Sequence, residues 1–343
     1  MNQNFEKIKK IVKLVCSESK KAKKKSALVM ITTTRKTKDG FVILPIRRTD
    51  NLICIAVTIY NLKSAKQIVN ELDGKVDYII IDAEQKINGL QNIVKIIIKY
   101  VSKSQVLTFK SSDSTADAAD SLISNLFLVP MDKKIGIIGA GNIGSKVALK
   151  LVERGHHVSL SCRTFKESKK TALALNLIKP KNCLKKIIPK DSSTIAKNCD
   201  LLIGFTNGIP AITSNMVQQM KKNGIILDGG IETIEPEAIS QALKKEIKVI
   251  RLDIRPSFAS AMTLLFETKN HLNEVFGNKK IKGIEVVSGG FYGKYGNIVV
   301  DNITNPAQLI GIADGRGNIM RDNFPNEFKK NIEVINHWIL NKK

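Results

Sequence analysis

An α/β protein built on a doubly wound parallel sheet, with a smaller α/β domain ahead of it, is the fold class that three observations predict. An apolar run meets the glycine pattern Gly139-x-Gly141-x-x-Gly144. Further short apolar runs follow it at helix-sized intervals, and strands alternate with amphipathic helices in the first third of the chain as well.

The central unit is the most sharply written. Ile135 to Ile138 form a buried-strand run, Ser145 to Arg154 carry apolar residues at helical spacing, Gly155 stops the helix, and His157 to Ser161 make the next strand. Each glycine then has a mechanical task. Gly139 permits the tight turn, Gly141 lets a pyrophosphate approach the backbone, and Gly144 lets helix and strand pack closely. Asn142 and Ile143 stand at the helix N-terminus, where phosphates are received. This is a Rossmann-type dinucleotide site in outline. Asp200 to Phe205, Ile225 to Asp228 and Lys248 to Ile254 continue the pattern as strands. Ligands of such sheets lie outside the carboxyl ends of strands, which makes the loops at Thr206-Asn207, Gly229 and Asp253 candidate walls for nicotinamide and substrate. Gly229-Gly230 reads equally well as a tight turn.

The end of the second strand selects the cofactor. An NAD site expects an acidic residue there, on the ribose 2′-hydroxyl. The chain has Ser161-Cys162-Arg163-Thr164 instead. A guanidinium binds a 2′-phosphate through paired, charge-assisted hydrogen bonds, so NADP is favoured over NAD.

In the first third, Phe5, Ile8, Ile11, Val12 and Val15 make a helical stripe, and Ala27 to Thr33, Phe41 to Ile46 and Leu52 to Ile59 read as strands. Leu62 to Leu72 reads as a helix closed by Asp73-Gly74. An apolar strand from Val76 ends at Asp82, and a helix from Leu90 to Val101 and a strand from Gln105 to Phe109 follow. A helix near Asp117 to Leu126 leads to a break at Val129-Pro130. The expected organisation is an α/β domain over residues 1–128, a Rossmann domain over 129–256 and a glycine-rich extension over 257–343 that packs on the interdomain cleft.

Composition bounds the function. The 343 residues are 43% hydrophobic, enough for two cores. No uninterrupted apolar stretch of about eighteen residues occurs and the first residues lack the apolar centre of a signal peptide, so a cytoplasmic protein with no membrane partner is expected. Five cysteines without Cys-x-x-Cys spacing read as reduced thiols. The formal charge of +24 is spread along the chain, mostly as lysine, with no aromatic platform for bases. Nucleic acid is therefore not an expected partner; phosphorylated or carboxylate ligands are. No carboxylate, thiol or imidazole recurs at metal-ligand spacing, and no metal is expected.

A small α/β domain, a helix leading into a glycine turn, and Ser-Cys-Arg-Thr after the second strand resemble the shikimate dehydrogenase-like superfamily, which also holds methylene-tetrahydropterin dehydrogenases and glutamyl-tRNA reductases. The resemblance is carried by Asp117 to Asp228. It implies an acid from the segment before the Rossmann domain working with a lysine of the first domain. Ser114-Thr115-Ala116-Asp117 lies where that acidic segment falls, although Asp117 reads equally as a helix cap. The shikimate enzymes' Asn-Val-Thr-x-Pro-x-Lys pattern is absent, and Lys86, just beyond the strand ending at Asp82, is the best-placed lysine, with Lys110 second. A reductase of the glutamyl-tRNA kind needs a nucleophilic cysteine, and Cys54 lies in what reads as a buried strand.

The function implied is NADP-dependent hydride transfer to or from a small, polar, anionic hydroxyl or carbonyl substrate in an interdomain cleft of a homo-oligomer. Lys86 and Asp117 would form the acid–base pair. The alternatives are a methylene-tetrahydropterin dehydrogenase-like enzyme and a non-catalytic NADP-binding regulatory protein. Titration with both cofactors checks the assignment: NADPH is expected to bind at least tenfold more tightly than NADH, about 1.4 kcal/mol, with most of that difference lost in Arg163→Ala.

Overall fold

The computed structural model describes residues 2–33, 40–84, 86, 93–127, 129, 131–322 and 324–341. It divides into two compact units, Met1–Met262 and Thr263–Lys343. The first unit opens with helix α1 (Asn2–Ala22), strands β1 (Lys25–Thr32), β2 (Phe41–Ile43), β3 (Arg47–Arg48) and β4 (Leu52–Ile59), helix α2 (Leu62–Leu72) and strand β5 (Tyr78–Asp82). Helix α3 (Ile93–Ile97), continued by a single 3-10 turn, strand β6 (Gln105–Phe109) and helix α4 (Ser111–Leu126) complete this part. The expected helix start at Leu90 and Pro130 of the expected break lie outside the described residues.

The first sheet runs β2-β4-β1-β5-β6, with β3 also on β4. β4, β1, β5 and β6 are mutually parallel, and β2 and β3 lie antiparallel on β4. Alternation along the strands sends Leu28, Met30, Ile55, Val57, Ile79 and Ile81 to a face where they pack with Ile8, Val12 and Val15 of α1 and Ile68, Val69 and Leu72 of α2. The opposite-facing Ala27, Val29, Cys54, Ala56 and Ile80 are fully buried too. A sheet buried on both faces explains why these strands read as continuous apolar runs. From β1 the chain steps to one side, to β4, and then crosses back over to β5 on the other side. The strand order thus reverses between β1 and β5, where ligands of open α/β sheets are found.

The second sheet is assembled from β7 (Lys134–Ile138), β8 (His157–Ser161), β9 (Ile188–Pro189), β10 (Leu201–Gly204), β11 (Ile225–Asp228) and β12 (Lys248–Arg251). Its order is β12-β11-β10-β7-β8-β9, all parallel. In chain order from β7 this is 3-2-1-4-5-6 read backwards, the Rossmann arrangement, with reversal between β7 and β10. Helices α5 (Asn142–Glu153), α6 (Phe165–Ile178), α7 (Ser214–Gln219) and α8 (Pro236–Lys244) connect the strands. Helix α9 (Arg255–Asn270) spans the division between the units; its Phe258 ring meets Phe109 edge-on at 6.5 Å, and Arg47 lies over that ring at 5.1 Å.

Helices α4 and α5 run side by side in the same direction, joined by an ion-pair ladder. Asp113 pairs with Lys146 at 2.5 Å, Asp117 with Lys150 at 3.0 Å and Asp120 with Arg154 at 2.5 Å. Successive rungs are about one helical turn apart on each helix.

In the second unit, strands β13 (Asn278–Ile281), β14 (Ile284–Ser288), β15 (Ile298–Val300), β16 (Leu309–Ala313) and β17 (Ile319–Met320) form one mixed sheet, followed by helix α10 (Asn326–Leu340). Ile281, Val286, Ile298 and Val300 pack with Ile335 and Ile339 of α10. Sequence reading marks this stretch as glycine-rich but does not find the sheet within it.

The rungs differ in burial, and their contributions should differ accordingly. The Asp120 side chain is 13% exposed and grips Arg154 with both oxygens, whereas Asp117 is 57% exposed. Asp120→Ala is expected to lower unfolding stability by about 1–3 kcal/mol, and Asp117→Ala by no more than about 0.5 kcal/mol, in parallel urea titrations.

Candidate functional site

The glycine turn after β7 has the geometry its sequence implies. Gly139 has φ +88°, and a Cβ there would fall 2.6 Å from the Phe205 carbonyl oxygen; one on Gly144 would fall 2.3 Å from the Gly139 oxygen. Both positions are closed to any other residue. Gly141 is different: a Cβ on it would meet nothing within 4 Å. Its face is open, as backbone that must admit a pyrophosphate has to be. Gly141 is the N-cap of α5, and Asn142 and Ile143 open its first turn.

Beyond β8, Arg163 is exposed at the mouth of the turn. Thr164 caps α6 in a reciprocal capping box: its hydroxyl accepts from Glu167 N at 3.2 Å, and its own N–H donates to Glu167 Oε2 at 3.2 Å. The Thr164 hydroxyl is thus engaged within the helix start, while Arg163 just before it stays exposed.

The loop after β10 lies against the turn, a Cβ on Gly139 falling 3.0 Å from Thr206 Cγ2. Thr206 donates its hydroxyl to the Ile209 carbonyl at 2.5 Å, and Asn207 adopts φ +49°. Gly229 has a packing reason for its size: a Cβ would lie 2.3 Å from the Phe205 ring. Asp228, at the end of β11, is buried and accepts from Glu232 N, Thr233 N and the Thr233 hydroxyl, pinning the following loop. Asp253 is held by Arg255, whose Nε lies 2.6 Å away.

At the carboxyl edge of the first sheet, a second cluster forms where the strand order reverses. Asp82, fully buried, receives the Thr32 hydroxyl at 2.8 Å, the Ser111 hydroxyl at 2.8 Å and the Lys86 ammonium at 2.7 Å. Lys86, only 15% exposed, also pairs with Glu84 at 3.0 Å and donates to the Ser111 hydroxyl. Helix α4 has no side-chain cap of its own at Lys110. Its first free N–H groups go instead to these acids, Ser111 N to Asp82 Oδ1 at 3.3 Å and Ser112 N to Glu84 Oε2 at 2.8 Å. Burial alone would push the Asp82 carboxyl up. The Lys86 ammonium and the Ser111 and Thr32 hydroxyls overcome this and hold it below the ordinary carboxylate range. Glu84 follows the same pattern: burial raises it, and Ser112 and Lys86 bring it down further than that.

The two clusters touch. Glu84 Oε1 lies 3.4 Å from Asn142 Nδ2 and 3.7 Å from Lys146 Nζ. The structure therefore gathers Lys86 with Asp82, Glu84 and Ser111 beside the cofactor turn, and places Asp117 on Lys150 in the helix ladder. Sequence reading missed Asp82, Glu84 and Ser111; the strand-end acid followed by Lys86 four residues later was their visible trace. Lys110 is exposed and pairs with Asp113. Cys54 is fully buried in β4, where burial pushes its thiol up to about 12, and such a thiol is no nucleophile at neutral pH.

Residues 134–226 match a family model described as NADP oxidoreductase coenzyme F420-dependent. No curated protein matches the chain in sequence. Similar solved structures include a shikimate dehydrogenase in complex with NADP+, 14% identical over 72% of this chain and 91% of that one, with TM-score 0.45. Ornithine carbamoyltransferase from Pyrococcus furiosus is 12% identical over 76% and 93%, with TM-score 0.42. The dipicolinate synthase A chain from Bacillus subtilis is 12% identical over 71% and 79%, with TM-score 0.36. The family match falls on β7 to β11, the strands that carry the glycine turn, and marks the chain as an oxidoreductase with an NADP-binding Rossmann domain. No helix among the described residues is long and apolar enough to cross a membrane.

Asp82 and Glu84 tie stability to pH. Groups held below their unfolded values, about 3.9 and 4.3, stabilise the fold above those values, and the stabilisation is lost as pH falls through the lower folded ones. Asp82→Asn is expected to be destabilised by about 3 kcal/mol at pH 7 and to lose less on acidification than the wild type, as read by urea unfolding between pH 7 and pH 3.

Proposed function

We propose that the protein transfers a hydride between NADP and a small, polar, anionic substrate bearing a hydroxyl or carbonyl group, with Lys86 as the group that moves the proton. The observation that carries this reading is the position of the Lys86 ammonium. It is nearly enclosed at the reversal point of the first sheet, and its carboxylate partner Glu84 reaches the first residue of the helix that follows the glycine turn. The chain's surplus of positive charge supports an anionic substrate.

The open face of Gly141 and the N-terminal N–H groups of α5 would hold the pyrophosphate, and Arg163 the 2′-phosphate. When bound, the nicotinamide supplies or accepts the hydride. Lys86 Nζ donates a proton to the substrate oxygen in the reducing direction and takes it back in the oxidising one. Asp82 and Ser111 fix the direction in which that nitrogen points. We propose Asp82, 2.7 Å from Lys86, as the carboxylate of the pair in place of Asp117. Residues 1–128 would be the substrate side and 129–256 the cofactor side. Five thiols without a disulfide support a reducing, cytoplasmic setting.

A second reading, hydride exchange with a pterin-like heterocycle, is favoured by the match to a family named for a second hydride-carrying coenzyme. Such a transfer needs orientation more than a protein acid.

NADPH oxidation against a panel of carbonyl acids separates the readings. Lys86→Met is expected to lower kcat at least about 100-fold while the NADPH Kd stays within about twofold. Unchanged kcat would refute the role of Lys86 and favour the heterocycle.

A further inference from the structure

Glu84 touches both halves of the proposed site. Its Oε2 accepts from Ser112 N at 2.8 Å and pairs with Lys86 at 3.0 Å; its Oε1 faces Asn142 Nδ2 at 3.4 Å and Lys146 at 3.7 Å. The side chain is 8% exposed, so it has little room to swing into solvent. Asn142 is the first residue of α5, beside the open face of Gly141. One carboxylate thus spans from the ammonium that would move the proton to the turn that would hold the cofactor.

We infer that Glu84 is a positioning residue through which cofactor occupancy sets the hold on Lys86. The inference rests on the dinucleotide reading of the glycine turn. A pyrophosphate at the N-terminus of α5 brings negative charge beside Asn142 and Lys146, the two groups that face Oε1. Both are drawn to the phosphates, and Oε1 is repelled by them. The remaining attractions on Glu84 are Lys86 and Ser112 N–H, so the carboxylate closes on these. Lys86 is then held more tightly in the loaded protein than in the empty one, and the proton donor is ordered when the hydride source is in place.

Trace acetylation with acetic anhydride, read residue by residue by mass spectrometry, tests this without a known substrate. NADPH fluorescence reports occupancy separately, and Lys13 on α1 serves as an internal standard. Saturating NADPH is expected to lower Lys86 labelling at least threefold in the wild type. Glu84→Gln, which keeps the size and the acceptor for Ser112 N–H, is expected to bind NADPH at least as tightly and to lose that response. Asn142→Ala, which removes the side chain reaching Oε1, is expected to weaken the response as well, and decides the matter alone if Glu84→Gln does not fold. Simple shielding of Lys86 by bound cofactor would persist in both variants, and that result overturns the inference. So does unchanged Lys86 labelling in wild-type protein whose fluorescence shows NADPH bound. Absence of any fluorescence response would instead defeat the dinucleotide reading, and the coupling with it.

Discussion

A carboxylate buried at the end of a strand must be fully bonded or it destabilises the fold, and Asp82 answers this by gathering three segments around itself. Thr32 comes from the end of β1, Ser111 from the first residue of α4, and Lys86 from the loop between β5 and α3. The strand order of the first sheet reverses at this point. The acid therefore closes the sheet's edge, starts the next helix and seats an ammonium at once. Helix α4 then carries the acidic side of the ladder to α5, and α5 begins at the glycine turn. Lys86 and the start of α4 are thereby held in one frame, and Glu84 beside them reaches Asn142 at the glycine turn.

What could be read beforehand is what local mechanics dictates. Gly139 and Gly144 admit no side chain, and those restrictions show in two letters of sequence. The parallel strands are legible because both faces are buried. The start of α4 was not legible, since its N–H groups are satisfied by Asp82 and Glu84, 29 and 28 residues away in the chain, and no capping residue marks it. Asp117 drew notice as an acid before the Rossmann domain; its partner Lys150 lies on another helix, beyond the reach of spacing rules. Gly229 reads equally as a ligand wall or a tight turn, and the Phe205 ring that excludes a side chain there lies beyond what spacing shows. In the second unit, strands of two to five residues between glycine turns are too short for a period-of-two pattern to register.

Electrostatics at the cofactor end also departs from the simple pattern. Dinucleotide sites choose between an acid and a cation at the end of the second strand, and this chain places both within a few residues. Glu167 spends its carboxylate on the Thr164 N–H. That hydrogen bond turns it into the helix start and leaves Arg163 exposed as the group at the strand end.

The ladder between α4 and α5 has a geometrical consequence of its own. Charges that recur about once per turn on two aligned helices match only at discrete offsets, so a small axial slip sets each acid between cations instead of opposite one. The next matched register lies a full turn away, about 5.4 Å, and would leave two end charges, an acid and a cation, without mates. The most buried rung, Asp120–Arg154, anchors the matched register. The ladder accordingly fixes the axial register of α4 along α5 in steps of a helical turn.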